Sequence, residues 1–191
     1  FTTTAAKVTG AEILRVAGVG SSYDLTKLAG ITSIEVGTTG GTVTLNKLSS
    51  AQANAITAQN SITTLAAALS DTTGTADSVT VTIDDVDTTA GAITIGALNA
   101  AGVETLNIVT GDTAVTHVVS ALTSSTSVKT LNVSGTSNLT ISDATAMAAG
   151  ATVDATDFAK NLNVTIGAGD IVLAGAGDDT VNAAFAQLGN T

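Results

Sequence analysis

Cysteine, proline and tryptophan are absent from this 191-residue chain, and tyrosine, histidine and arginine occur once each. Without cysteine there can be no disulfide, no thiolate metal site and no Cys–His nucleophile. Without proline there is no rigid linker to mark a domain boundary. Six basic residues stand against sixteen acidic ones, a net charge of −10. That balance excludes the basic face a nucleic-acid binder needs and argues against docking on bare anionic lipid, while it suits divalent cations. No run of 18 apolar residues occurs, so no membrane-spanning helix is expected. The start, Phe1-Thr2-Thr3-Thr4, is neither an initiator Met nor a signal peptide, as in a piece of a longer polypeptide. The missing cysteine and the acidic charge together fit bacterial secreted proteins.

What is present is small, β-branched and apolar. Hydrophobic residues make up 44% of the chain and charged ones only 12%, the opposite of the balance that keeps chains disordered. One phrase keeps returning: Ala11-Glu12-Ile13-Leu14-Arg15-Val16, Val103-Glu104-Thr105-Leu106-Asn107-Ile108, Val128-Lys129-Thr130-Leu131-Asn132-Val133 and Ala159-Lys160-Asn161-Leu162-Asn163-Val164. Its alternation has the period of two of a strand with one face buried. Ile83, Ile108 and Val133 are 25 residues apart, and Val164 follows after 31. A second short strand is expected between phrases, at Thr42–Leu45, Ala92–Ile95, Ala114–Val118, Leu139–Ser142 and Ile171–Leu173. Two strands per repeat of this length predict a parallel β-solenoid of about six or seven rungs, in which each rung buries its apolar face on the next. A β-sandwich of short strands is the competing architecture.

One segment departs from that pattern. Ala51, Ala55, Ala58, Ile62, Leu65 and Leu69 recur at steps of three and four, which predicts a helix over 49–69 capped by Ser49 or Ser50. The division expected is an N-terminal solenoid part with this helix, 1–75, followed by regular rungs over 76–191, the two readable also as one continuous domain.

The chemistry concentrates in the tail. Gly167-Ala168-Gly169-Asp170-Ile171-Val172-Leu173 is followed by Ala174-Gly175-Ala176-Gly177-Asp178-Asp179-Thr180-Val181-Asn182. Asp170 and Asp179 fall nine residues apart, the period of a calcium-binding parallel β-roll. Glycines let the backbone turn and aim carbonyls inward, and each aspartate adds a carboxylate oxygen, the hard donor set Ca²⁺ prefers. The cluster Asp84, Asp85 and Asp87 reads either as a solvated acidic turn or as a second calcium site. The same two readings apply to Asp154 and Asp157. His117, in Ala114-Val115-Thr116-His117-Val118-Val119, is expected as a strand residue at the surface. No Gly-x-Ser-x-Gly turn is present to offer a nucleophilic serine. An enzyme is therefore not expected, with an extracellular polysaccharide lyase or hydrolase as the remote alternative.

The tail resembles the Gly-Gly-x-Gly-x-Asp repeat of RTX (repeats-in-toxin) proteins, which form calcium-loaded parallel β-rolls. The phrases Val103-Glu104-Thr105-Leu106-Asn107-Ile108, Val128-Lys129-Thr130-Leu131-Asn132-Val133 and Val153-Asp154-Ala155-Thr156-Asp157-Phe158 are similar to those of surface-layer (S-layer) proteins of Gram-negative bacteria. Those proteins are exported by type I secretion and build a calcium-dependent sheet on the cell surface. The likeness covers most of 76–182, whereas 1–75 match it poorly. Ala174 stands where the second turn's first glycine would be, and the first turn is one residue short. The resemblance implies Asp170 and Asp179 as carboxylate ligands, Gly167, Gly169, Gly175 and Gly177 as turn positions, and Asp178 as a weaker candidate. It implies one Ca²⁺ site at most, an extracellular location on the bacterial surface, and lattice neighbours of its own kind as partners. A cell-surface polysaccharide contacted through another region is the second partner considered. The alternative function is the stalk or binding module of a secreted RTX adhesin.

Overall fold

The computed structural model describes residues 10–28, 30–85 and 91–183. In chain order the strands begin β1 (Ile13–Val16), β2 (Ser21–Asp24), β3 (Ser33–Val36) and β4 (Thr42–Leu48). A single helical turn, α1 (Ser50–Ala53), leads to β5 (Ile56–Ala58), β6 (Ile62–Leu69), β7 (Ser78–Ile83) and β8 (Thr94–Asn99). Then follow β9 (Thr105–Thr110), β10 (Thr116–Thr123), β11 (Thr130–Gly135) and β12 (Asn138–Ile141). The last four are β13 (Thr152–Asp154), β14 (Leu162–Ile166), β15 (Ile171–Leu173) and β16 (Thr180–Ala183).

Odd strands make one eight-stranded sheet and even strands the other, each in sequence order. Every pairing is parallel, for example Thr130 with Thr105 and Thr116 with Asn138. The chain therefore winds as a two-sheet β-solenoid of about seven turns, as the repeats predict. Loops from odd to even strands line one edge, here the first edge; loops back line the second. Strands β5 and β7, and β6 and β8, pair across 70–77, so both sheets run through that stretch.

The alternation explains the phrase. Leu106 and Ile108 of β9 and Leu131 and Val133 of β11 point inward and are buried, all within one core shared by both sheets. The Asn between them faces out and bonds the next rung. Thr80 Oγ1 donates to Asn54 Oδ1 (2.8 Å), Asn107 Nδ2 donates to Thr80 Oγ1 (3.0 Å), and Asn132 Nδ2 donates to Asn107 Oδ1 (2.7 Å). In the first rungs Arg15 pairs with Glu35 at 2.6 Å. The polar face thus ties rung to rung sideways, where an apolar face would attract other chains.

Three expectations need correction. The helix over 49–69 is one turn, Ser50–Ala53, with Ser49 as cap through a capping box with Gln52. The rest of that stretch is β5 and β6. Its step of three, Ile62 to Leu65, is a strand feature stacked across rungs. Ile62 lies on Ile95 and Leu65 on Leu98, which lie in turn on Val119 and Leu122. Each of these strands inserts one extra residue between inward side chains, so a stacked bend imitates helical spacing. Second, the phrase copy ending at Val164 is β14, in the even sheet beside Ile141 and Val181, whereas Ile108 and Val133 are odd-sheet partners. Third, Ile171–Leu173 belongs to the odd sheet, not the even one. Both slips have one cause, the three-residue strand β13: too short to show alternation and ending on an aspartate, it reads as a turn, and missing it inverts every later assignment.

Candidate functional site

The glycine–aspartate turns fall on opposite edges. Residues 167–170 join β14 to β15 on the second edge, and 174–179 join β15 to β16 on the first. Asp170 and Asp179 therefore precede strands of different sheets, and the fold does not bring them together. Asp170 clamps its own turn: Oδ1 accepts the Ala151 N–H at 3.0 Å and Oδ2 the Gly167 N–H at 3.0 Å. Gly169 has φ +88°, a left-handed conformation that glycine adopts without strain.

On the first edge the turn 174–179 rests on the turn 155–161. Asp179 Oδ1 accepts the Leu162 N–H (2.8 Å), and Asn161 Oδ1 accepts the Asp178 N–H (3.0 Å). One rung earlier Asn138 Oδ1 accepts the Asn161 N–H (3.1 Å), so an Asn/Asp ladder climbs this edge. A Cβ at Gly175 would collide with the Phe158 and Ala155 carbonyl oxygens, and one at Gly177 with the Lys160 carbonyl oxygen. Only glycine lets the two turns lie this close. The turn beneath offers carbonyl oxygens at Ala155, Phe158 and Lys160, the Asp179 carboxylate is held on the Leu162 N–H, and oxygen is the donor a hard cation prefers. Among the described residues no three His, Cys, Asp or Glu side chains gather around one point, so carbonyls would supply most ligands to a cation at this turn. Asp170 would take no part.

Asp84 and Asp85 follow β7 on the same first edge, several rungs away; Asp87 lies outside the described residues. The Asp85 N–H donates to Asp112 Oδ2 at 2.9 Å, and the Asp84 carboxylate lies against Gly111, leaving no room for a Cβ there. Behind them sits His117, which is completely buried rather than at the surface. Its Nδ1 accepts the Ile93 N–H at 3.1 Å, so the neutral ring carries its proton on Nε2. Nε2 lies 3.6 Å from Asp112 Oδ2, beyond hydrogen-bond length, and makes no well-formed hydrogen bond. A protonated Nε2 offers no lone pair, which rules out His117 as a metal ligand in this arrangement.

Burial pushes the His117 imidazole below its ordinary pKa of 6.5, and Asp112, the Gly111 carbonyl, Asp84 and Asp85 offset only part of that. Adding a proton to Nδ1 would also set two donors, imidazole and Ile93 N–H, against each other. The unfolded chain therefore binds this proton more readily than the native one. Stability from the neutral ring is complete above about pH 6.5 and is lost as pH falls below it toward the folded pKa, at up to about 1.4 kcal/mol per pH unit. Thermal unfolding between pH 7.5 and 5 should show this slope, and His117→Gln should remove most of it; an unchanged slope in the variant would refute the assignment.

The sequence reading missed one recurring device. In Asp24-Leu25-Thr26, Asp71-Thr72-Thr73, Asp143-Ala144-Thr145 and Asp154-Ala155-Thr156, the aspartate Oδ1 accepts both the N–H and the hydroxyl of the threonine two residues on. Each closes a strand end. Hydrogen bonds from Thr26, then Lys47, lower the Asp24 carboxyl to about 2. Thr73 lowers Asp71 and Thr156 lowers Asp154 in the same way. Asp-x-Thr, which occurs six times in the sequence, was the available signal. Asp154 and Asp157 line a hollow on the outer face of the odd sheet with Asn132, Ser134 and Thr156. No family model, no curated protein and no solved structure matches this chain.

Proposed function

We propose that the chain is a structural module of a bacterial surface-layer subunit, exported to the cell surface, that assembles with copies of itself and is stiffened by Ca²⁺. The observation that supports this most is the half-turn of the tail. Ile171 and Thr180 open strands nine residues apart in alternate sheets, each preceded by a glycine-bearing turn that ends on an aspartate. The calcium β-roll repeat that the tail resembles has the same nine-residue period. The reading gives the chain a mechanical task and no catalytic one: stacked rungs make a rod, and cations offset a net charge of −10 that otherwise repels itself. Asp179, Asp178 and the carbonyls of the turn beneath are the proposed cation site, with Asp84 and Asp85 as a second on the same edge.

Extracellular calcium modules bind at about 10⁻⁴–10⁻³ M. One such site should add about 1.4–2.7 kcal/mol to unfolding at roughly 10 mM Ca²⁺. A calcium titration followed by melting temperature should show that rise in the parent chain and a smaller one in Asp179→Ala. A flat response in the parent rejects the calcium site. Electron microscopy of the chain on a lipid or carbon support, with and without Ca²⁺, tests the layer: no ordered sheet under either condition rejects it.

A further inference from the structure

His117 is the only histidine of the chain and is fully buried, yet the polar groups around it suit two positions of the ring. In the closed position Nδ1 accepts the Ile93 N–H at 3.1 Å, and the Val118 N–H donates to the Ile93 carbonyl at 2.9 Å, so the start of β8 is fastened to β10. Nε2 carries the proton and is aimed at Asp112, whose side chain is only 9% exposed, but at 3.6 Å it falls short of a bond. Ile93 and Leu139 flank the ring within the even sheet, and Asp84 and Asp85 stand behind Asp112. The turn 136–137 adds only the hydroxyls of Thr136 and Ser137, and the inward side chains of β7, β9 and β11 across the core are uncharged. Residues 84–93, 111–118 and 136–141 hold no lysine or arginine, so a charged ring finds only carboxylates on this edge.

We infer that His117 is an acid-operated latch: neutral, it holds β8 to β10 from inside; protonated, it swings out to Asp112, and the first edge opens at these two rungs while the rest of the stack stays closed. This goes beyond the surface-layer reading and calls on no cation. A protonated ring has no lone pair for Ile93, so one event removes the inner bond and makes the outer one charge-assisted. The turn between β9 and β10 is built to give. Thr113 is flanked by Asp112 at φ +56° and Ala114 at φ +65°, and alanine is strained in this left-handed region. Thr113, Ala114 and Thr116 are exposed, so nothing packs over their movement. The first half of the turn is tied down. The Gly111 N–H donates to the Ile83 carbonyl at 2.8 Å, the Thr136 hydroxyl to the Asp112 carbonyl and the Ser137 hydroxyl to the Gly111 carbonyl. Asp112 therefore keeps its place as the receiving group while Ala114 to Thr116 relax and carry His117 outward. Rungs touch only their neighbours, which confines the opening.

The test follows the lone histidine by nitrogen NMR in the 191-residue chain, kept free of divalent cations by a chelator. At about pH 7.5 the ring should be neutral with its proton on Nε2, and it should charge only below its ordinary 6.5. Over the same range, hydrogen exchange referred to the intrinsic rate at each pH should show the Ile93 and Val118 amides losing up to about tenfold in protection per pH unit. Strands β4 and β14 should keep theirs. His117→Gln, whose amide oxygen still accepts the Ile93 N–H and takes up no proton, should stay closed at about pH 5. Asp112→Asn suits the same left-handed turn and removes the receiving charge, so its ring should charge, and its edge open, at lower pH. A ring that charges without loss of protection at Ile93 overturns the inference, as does protection lost equally along the stack. So does opening that is alike in the parent and His117→Gln. If His117→Gln folds poorly, Asp112→Asn decides: an unmoved titration there overturns the swing to Asp112.

Discussion

Gly135→Ala should lower stability by about 3 kcal/mol or more, through two costs that fall on one atom. Gly135 ends β11 with φ +126°, where an L-residue is strained by about 1–3 kcal/mol. Its Cβ would also collide with the carbonyl oxygen, amide nitrogen and hydroxyl of Thr110, its partner on β9. Thr110 cannot yield. It is 1% exposed, and its hydroxyl donates to the Ser137 carbonyl at 2.8 Å while accepting the Ser137 N–H at 3.1 Å. Parting the rungs at this point breaks that pair and adds an overpacking cost of about 1–3 kcal/mol. Gly150→Ala separates the contributions: Gly150 has φ +76° with nothing within 4 Å, so it bears strain alone and should lose about 1 kcal/mol. For a chain of this size the Gly135 variant should melt about 6–12 °C lower. Equal losses at the two glycines would show that the clash is relieved and the argument wrong.

The solenoid was legible because its rule is local. Alternation of Leu, Ile and Val with Thr and Asn marks each long strand, and a returning phrase marks the stacking. What escaped depends on the neighbouring rung. Nothing around His117 reveals that Ile93, 24 residues earlier, donates its N–H to the ring and draws it inside. Nothing in Ala58 to Leu69 distinguishes a helix from a strand with an extra residue, because the same bend recurs in the next two strands of the sheet, β8 and β10, far along the chain. The nine-residue spacing of Asp170 and Asp179 is visible at once, but which edge of the stack each occupies requires the parity of the strand count. A single three-residue strand, β13, decides that parity.

Phe158→Ala should be as costly as the glycine change and should act on the tail. Phe158 is the one phenylalanine among the described residues, 1% exposed, and the largest of the fully buried side chains. It lies in the turn 155–161 that carries the glycine–aspartate turn: its N–H donates to the Ala155 carbonyl at 2.9 Å, and its carbonyl accepts the Ala176 N–H at 3.1 Å. Removing the ring costs about 3–5 kcal/mol, since a core of small side chains has none large enough to fill the space. Solenoid rungs touch only their neighbours, so the loss need not spread evenly. Hydrogen exchange should show Leu162–Ile166 and Thr180–Ala183 losing protection first, while β7 and β9 keep theirs. The stabilisation by calcium should fall with it, because the carbonyls proposed as ligands sit on the turn that Phe158 anchors. Uniform loss of protection along the whole stack would mean that the molecule unfolds as one unit. An undiminished calcium response would place the cation away from this edge, and Asp179 would then be a turn clamp as Asp170 is.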